Sequence, residues 1–142
     1  MLSEIVIARP RDEVSAYACD PDNARSWYRK IKRVEWQTPK PLAVGSRIAF
    51  VARFLGKGLA YTYEIRELEP GRRLVMGTEE GPFPMRTTYA FEDAAGGGTR
   101  MTLRNASDKS GFAKPSRSLI MASMRRANRK DLKRLKRILE RG

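Results

Sequence analysis

Between Ile31 and Asn105 the chain is cut by glycine and proline into short alternating runs, and this punctuation limits what it can fold into. "KIKRVEWQ", "SRIAFVARF", "LAYTYEIREL", "RRLVMGTE", "MRTTYAFED" and "TRMTLRN" follow one another, broken at Gly56-Lys57-Gly58, Pro70-Gly71, Gly81-Pro82 and Gly96-Gly97-Gly98. Apolar residues recur at every second position, as on a half-buried strand. Ile48, Phe50 and Phe54 share a face, as do Tyr61, Tyr63 and Ile65; Ile31 is only loosely in phase with Val34 and Trp36. Connections this tight join antiparallel neighbours, so the pattern predicts a meander and not βαβ units.

The flanks differ. "LSEIVIA" reads as a strand ending at Arg9-Pro10, and "RDEVSAYACD" as a short helix with Val14, Tyr17 and Ala18 on one side. Asp20 before Pro21 predicts an N-cap with proline in the first helical position, and a second short helix through Ala24 to Trp27. After the loop "ASDKSGFAKPS", nothing breaks a helix from Pro115 and Ser116 to Gly142. The expectation is one α+β domain over residues 1–142: a strand, two short helices, about six more strands, and one long helix covering a sheet face.

That last helix carries most of the charge. The net charge of the chain is +13; from Lys114 onward there are eleven basic and two acidic residues. On a helical wheel Ile120, Met121, Met124, Ala127, Leu132, Leu135, Ile138 and Leu139 form one apolar arc, with the lysines and arginines opposite. A solvated face is the ordinary meaning of such a charge run, and an anionic partner is the alternative. No aromatic residue follows Phe112, which argues against single-stranded nucleic acid and against a membrane-surface helix. Nucleic acid is therefore not the expected partner, although the charge leaves it open. Asn128 and Asp131 interrupt the apolar arc. Local hydrogen bonds or a wet helix end would explain them, or Asn128 faces a cavity walled by Met121 and Met124.

Composition excludes several chemistries. There is no histidine, so Ser-His-Asp and Cys-His nucleophile systems and HExxH zinc sites are ruled out. Cys19 is the single cysteine, which leaves no intrachain disulfide and fits a reducing cytoplasm. No bound metal or cofactor is expected. No run is apolar and long enough to span a bilayer, and Glu4 within "MLSEIVIARP" does not suit a signal peptide.

The chain resembles the START-like, or SRPBCC, superfamily, in particular its polyketide cyclase/dehydrase and lipid-transport branch. The resemblance runs through "ARPRDEVSAYACDPDNARSWY", "VGSRIAF", "YTYEIRELEPGRRLVM" and "GPFPMRTTYAFEDAAGGGTRMTL" to "DLKRLKRILE". It implies a helix-grip fold: a curved antiparallel sheet around the C-terminal helix, enclosing a hydrophobic pocket. It implies no single activity, since members include lipid and hormone binders and aromatase/cyclases.

A sheet concave toward that helix should turn its aromatic face inward. The expected ligand-binding set is Phe50, Phe54, Tyr61, Tyr63, Met76, Tyr89, Phe91, Met101, Met121, Met124 and Asn128, with a hydrophobic small molecule or lipid as ligand. Plain core is the competing meaning of such a stripe. Were the chain an enzyme, Tyr61 or Tyr63 would serve as acid or electrophile, the alternative activity being a cyclase or dehydrase. Arg53, Arg86 and Glu64 fall on the outer face by alternation and could contribute only through a bulge. Trp27 reads as a core anchor and Cys19 as a small buried residue. The oligomeric state is open, a homodimer included.

Overall fold

The alternation builds one antiparallel sheet whose strands lie in space nearly as they do in sequence. The computed structural model describes residues 2–54, 57–78, 85–106 and 114–141; the side chains of 53, 54, 57, 59 and 114–121 lie outside that description. The turns expected at Gly56 and at Gly81-Pro82 are thus outside it wholly or in part. Strand β1 is Leu2–Ile7, followed by helices α1 (Arg11–Ala18) and α2 (Ala24–Trp27). Then come β2 (Ile31–Trp36), β3 (Arg47–Phe54), β4 (Lys57–Glu69), β5 (Arg73–Thr78), β6 (Met85–Ala94) and β7 (Gly98–Ala106). Helix α3, Lys114–Arg141, closes the order. The described strands form a seven-stranded sheet, β1-β7-β6-β5-β4-β3-β2, with every pairing antiparallel. It is the curved sheet and C-terminal helix of the helix-grip fold.

Two bulges explain where simple alternation loses phase. In β2 the register shifts between Ile31 and Arg33, so Ile31 pairs with Ala52 while Val34 and Trp36 pair with Phe50 and Ile48. The extra residue puts Ile31 on the same face as Val34 and Trp36 despite the odd spacing. In β4 the shift lies between Ile65 and Glu67, which brings Ile65 and Leu68 onto one face. Arg66, the inserted residue, lays its guanidinium over Gly77 on the opposite face, where a Cβ would lie 2.5 Å from it.

Turn chemistry is as expected where it is described. Asp20 caps a 3-10 turn, Pro21–Asn23, by accepting from Asp22 N at 3.0 Å, with Pro21 in the first position. Gly71 sits at φ 81, and a Cβ there would lie 2.9 Å from Asp12 Oδ1. Gly71→Ala should therefore lower stability by about 1–2 kcal/mol, read as a shift in urea midpoint at unchanged slope.

The core lies between the concave sheet face and the helices. Ile7, Val14, Trp27, Ile48, Ile65, Met101, Leu103, Leu132 and Leu135 are almost wholly buried within it. Burying these apolar side chains is the main force holding α3 to the sheet. The C-terminal half of α3 also covers the β1 edge. Lys136 Nζ donates to Val6 O at 2.8 Å, and Ala8 N donates to Glu140 Oε2 at 2.7 Å. Arg9 donates to the last carbonyls of the helix, Nε to Leu139 O at 2.9 Å. An edge strand that would otherwise expose unpaired backbone groups is thereby closed, and the helix C-terminus gains a cation.

Candidate functional site

Where α3 passes beyond its seat on β1, a half-open cavity of about 200 Å³ lies between it and the sheet. Its wall combines Phe50 and Ala52 of β3, Tyr61 and Tyr63 of β4, Met76 of β5, Thr87 of β6 and Asn105 of β7. Tyr28 and Ile31 contribute from the chain joining α2 to β2 and from its first residue, and Met124 and Asn128 from α3. Antiparallel pairing brings the sheet residues together: Phe50 lies opposite Tyr61, and Thr87 opposite Asn105. Phe50 and Tyr63 meet edge to face, ring centres 5.7 Å apart at 75°.

The polar groups of this wall are mostly engaged. Tyr63 hydrogen-bonds to Thr87, and Thr87 Oγ1 donates to Asn105 Oδ1 at 2.9 Å. The Tyr28 hydroxyl shares a hydrogen bond with that of Tyr89. Burial pushes the Tyr28, Tyr63 and Tyr89 phenols above their ordinary value, so near neutral pH they are neutral hydrogen-bonding groups and not phenolates. Asn128 is 8% exposed, and its amide nitrogen has no hydrogen-bond partner among the described residues. No carboxylate, lysine or arginine is among the described lining residues.

The expected site residues divide. Phe50, Tyr61, Tyr63, Met76, Met124 and Asn128 line the cavity. Phe91 and Met101 sit in the core cluster and do not line it. Tyr89 lies behind Tyr28 and borders a separate space of about 20 Å³ with Cys19 and Ala24. The side chains of Phe54, Met121 and Arg53 lie outside the described residues. Arg86 stays on the outer face, in a groove with Arg73, Arg104 and Glu67, and Glu64 is exposed; the β4 bulge, between Ile65 and Glu67, re-aims neither of them. Burial pushes the Cys19 thiol up to about 12, which leaves it protonated and unreactive.

Sequence reasoning passed over Tyr28, Ile31, Ala52, Thr87 and Asn105. Ala52 is in phase with Phe50, and Thr87 with Tyr89, so alternation alone would have placed both on the inner face. They escaped notice because they are small or polar.

On the outward side of α3, Lys130, Lys133, Arg134 and Arg137 form a cleft of about 290 Å³ with Arg29. Asp131 beside it is 6% exposed and accepts from Arg29 N at 3.2 Å. Its burial raises the carboxyl to about 6, against the opposing pull of Arg29, Lys30 and Arg134. Among the described residues no three His, Cys, Asp or Glu side chains are grouped to hold a metal ion. No described helix is long and apolar enough to cross a membrane.

Solved structures share this architecture. The protein TTHA0849 from Thermus thermophilus is 23% identical, with a TM-score of 0.76 over 96% of this chain and 94% of that one. The di-domain ARO/CYC protein BexL of the BE-7585A biosynthetic pathway is 21% identical, TM-score 0.80, over 99% of this chain and 46% of BexL. A START superfamily protein from Mycobacterium smegmatis is 10% identical, TM-score 0.79, over 97% of both chains. At such identities the likeness is one of fold. No curated protein matches the chain by sequence. The family profile described as polyketide cyclase / dehydrase and lipid transport matches residues 2–140, nearly the whole chain. With its seven-stranded sheet gripping α3, the chain belongs to that family.

Proposed function

We propose that the protein binds a hydrophobic or aromatic small molecule, or part of a lipid, in the cavity beneath α3. The supporting observation is the cavity wall: apolar and aromatic on most sides, adaptable at Met76 and Met124, with few polar groups free. Of the expected ligand-binding residues, those on this wall carry the proposal: Phe50, Tyr61, Tyr63, Met76, Met124 and Asn128. Native mass spectrometry of the purified protein, followed by thermal shift against a lipid extract, tests the reading. A ligand at about 100 times its Kd should add about 2.7 kcal/mol of stability. Ala52→Phe, which fills the space from the floor of the sheet, should reduce affinity at least about tenfold while the fold persists. Retention of ligand by that variant at full affinity would sink the proposal. The compartment proposed is the reducing cytoplasm.

A cyclase or dehydrase reading has one observation in its favour beyond family membership. Tyr63, held by Thr87, is a neutral hydrogen-bonding phenol at the cavity wall and is suited to polarising a carbonyl. The wall lacks a base among its described residues, so binding is the better-supported function. The reading requires that Tyr63→Phe lower turnover about a hundredfold; full turnover with both Tyr61 and Tyr63 changed to phenylalanine would count decisively against it.

The cationic cleft on α3 supports a separate electrostatic contact with anionic lipid or nucleic acid. Such binding must weaken steeply between about 50 and 200 mM salt.

A further inference from the structure

We propose that the outer face of the sheet, turned away from the cavity, holds a binding site for a small phosphate monoester between Arg86 and Arg104. The register singles out these two residues. Elsewhere on that face an arginine meets a glutamate on the neighbouring strand: Arg47 lies opposite Glu64, Arg73 opposite Glu69 and Arg100 opposite Glu92. Charges set opposite each other in this way offset one another. Arg86 instead lies between Gly77 and Ala106, and Arg104 between Thr88 and Leu2. Both arginines are exposed, and no described carboxylate forms an ion pair with either.

The two belong to one groove of about 320 Å³, lined also by Val75, Thr88 and Ala90. Thr88 pairs with Arg104 and stands two residues from Arg86 on β6. The arginines are therefore diagonal neighbours, about 7–8 Å apart at the backbone. Each guanidinium is a fork of N–H donors that matches phosphate oxygens, and the Thr88 hydroxyl between them supplies a third point of contact. Arg73, at the border, is held by Glu67, with 3.6 Å between Nη2 and Oε2. Val75 is 3% exposed although it lies on this outer face, so the groove has an apolar floor below its charged rim. Val75 and Ala90 offer the carbon skeleton of an ester a surface while the arginines take its phosphate.

Size and charge favour a compact ligand over a polymer or a membrane. The volume is at the lower end of the roughly 300–1,000 Å³ typical of small-molecule sites. Around the pair, Glu4, Glu64, Glu67, Glu69 and Glu92 offset Arg47, Arg66, Arg73 and Arg100 on the same face. A nucleic-acid duplex or an anionic bilayer laid across it would meet carboxylates almost as often as cations. A single dianion seated between Arg86 and Arg104 would not.

Titration of the full chain with glycerol 3-phosphate at about pH 7.5 and fixed ionic strength tests the site, followed by amide NMR and calorimetry. The ester is then a dianion, its second pKa being about 6. The amides of Val75, Thr88 and Arg104 should shift together, and glycerol should shift none of them. Arg86→Gln and Arg104→Gln should each weaken binding about tenfold or more, the worth of a charged hydrogen bond, and Thr88→Val about threefold to tenfold. Both arginine side chains are exposed, so these variants should keep the thermal midpoint of the unaltered protein. Inorganic phosphate should bind several-fold more weakly than the ester, because it has no carbon skeleton to bury. Silence of these amides, or shifts confined to Arg29 and α3, overturns the site. Unchanged affinity in either arginine variant overturns the pairing of Arg86 with Arg104. Inorganic phosphate that binds as tightly as the ester overturns the part given to Val75 and Ala90. A short DNA duplex that moves the same amides at lower concentration than the ester would put a nucleic-acid backbone in its place and overturn the proposal.

Discussion

Trp27→Ala is expected to lower the unfolding free energy by about 3–5 kcal/mol, the largest loss foreseen for any single truncation in this chain. The indole is wholly buried at the end of α2, a helix of four residues that could not hold itself in place. Its ring stacks on Tyr28 with centres 4.0 Å apart and leans on Tyr89 at 5.8 Å. Tyr28 is part of the cavity wall, so the same truncation should loosen the site and weaken ligand binding. Trp27→Phe makes an instructive contrast. The indole N–H is buried with no partner among the described residues, and phenylalanine keeps most of the ring while removing that unpaired donor. The loss for Trp27→Phe should therefore be well under half that for Trp27→Ala. Urea unfolding of both variants measures the difference, and equal losses would show that ring packing is not what Trp27 supplies.

How far this could be read from the residues depends on how local each feature is. The α3 seat was visible because Leu132, Leu135 and Leu139 recur at helical spacing, and all three are buried. The face of each strand was visible by the same logic at period two. Position along a face was not. Tyr89, Phe91 and Met101 do point inward, but Val14 and Ala18 of α1 and the end of α3 join their core cluster. Which part of a sheet is filled and which is left hollow depends on packing between distant segments, and no spacing encodes it. Bulges are hidden for a related reason: the shift at Ile31 exists only in relation to its partner strand. The engagement of Thr87 with Asn105, eighteen residues apart, is likewise set by register. Asn128 was readable as an anomaly, a polar residue inside an apolar arc, because the helix reports its own faces.

Asp131, the other polar interruption of that arc, leads to a different expectation. Its carboxyl, raised by burial to about 6, keeps its proton in the folded protein over a range where the unfolded chain has released it. Between the ordinary aspartate value of about 3.9 and pH 6 the native state thus binds more protons than the unfolded state, and stability falls as pH rises. Above pH 6 the loss is complete, on the order of 1–3 kcal/mol, because the ionised group is then buried in the fold. Arg29, Lys30 and Arg134 oppose this without cancelling it. Asp131→Asn preserves an acceptor for Arg29 N, now 3.2 Å away, and cannot ionise. Urea midpoints should agree between the two proteins near pH 4 and separate above pH 6, with the variant more stable by on the order of 1–2 kcal/mol at pH 8. An unchanged pH profile in the variant would mean that the cations around Arg29 neutralise the carboxylate fully. The bond in question ties α3 to the segment carrying Tyr28, one helical turn from Asn128, so the same measurement repeated with ligand bound asks whether the cavity wall shares the response.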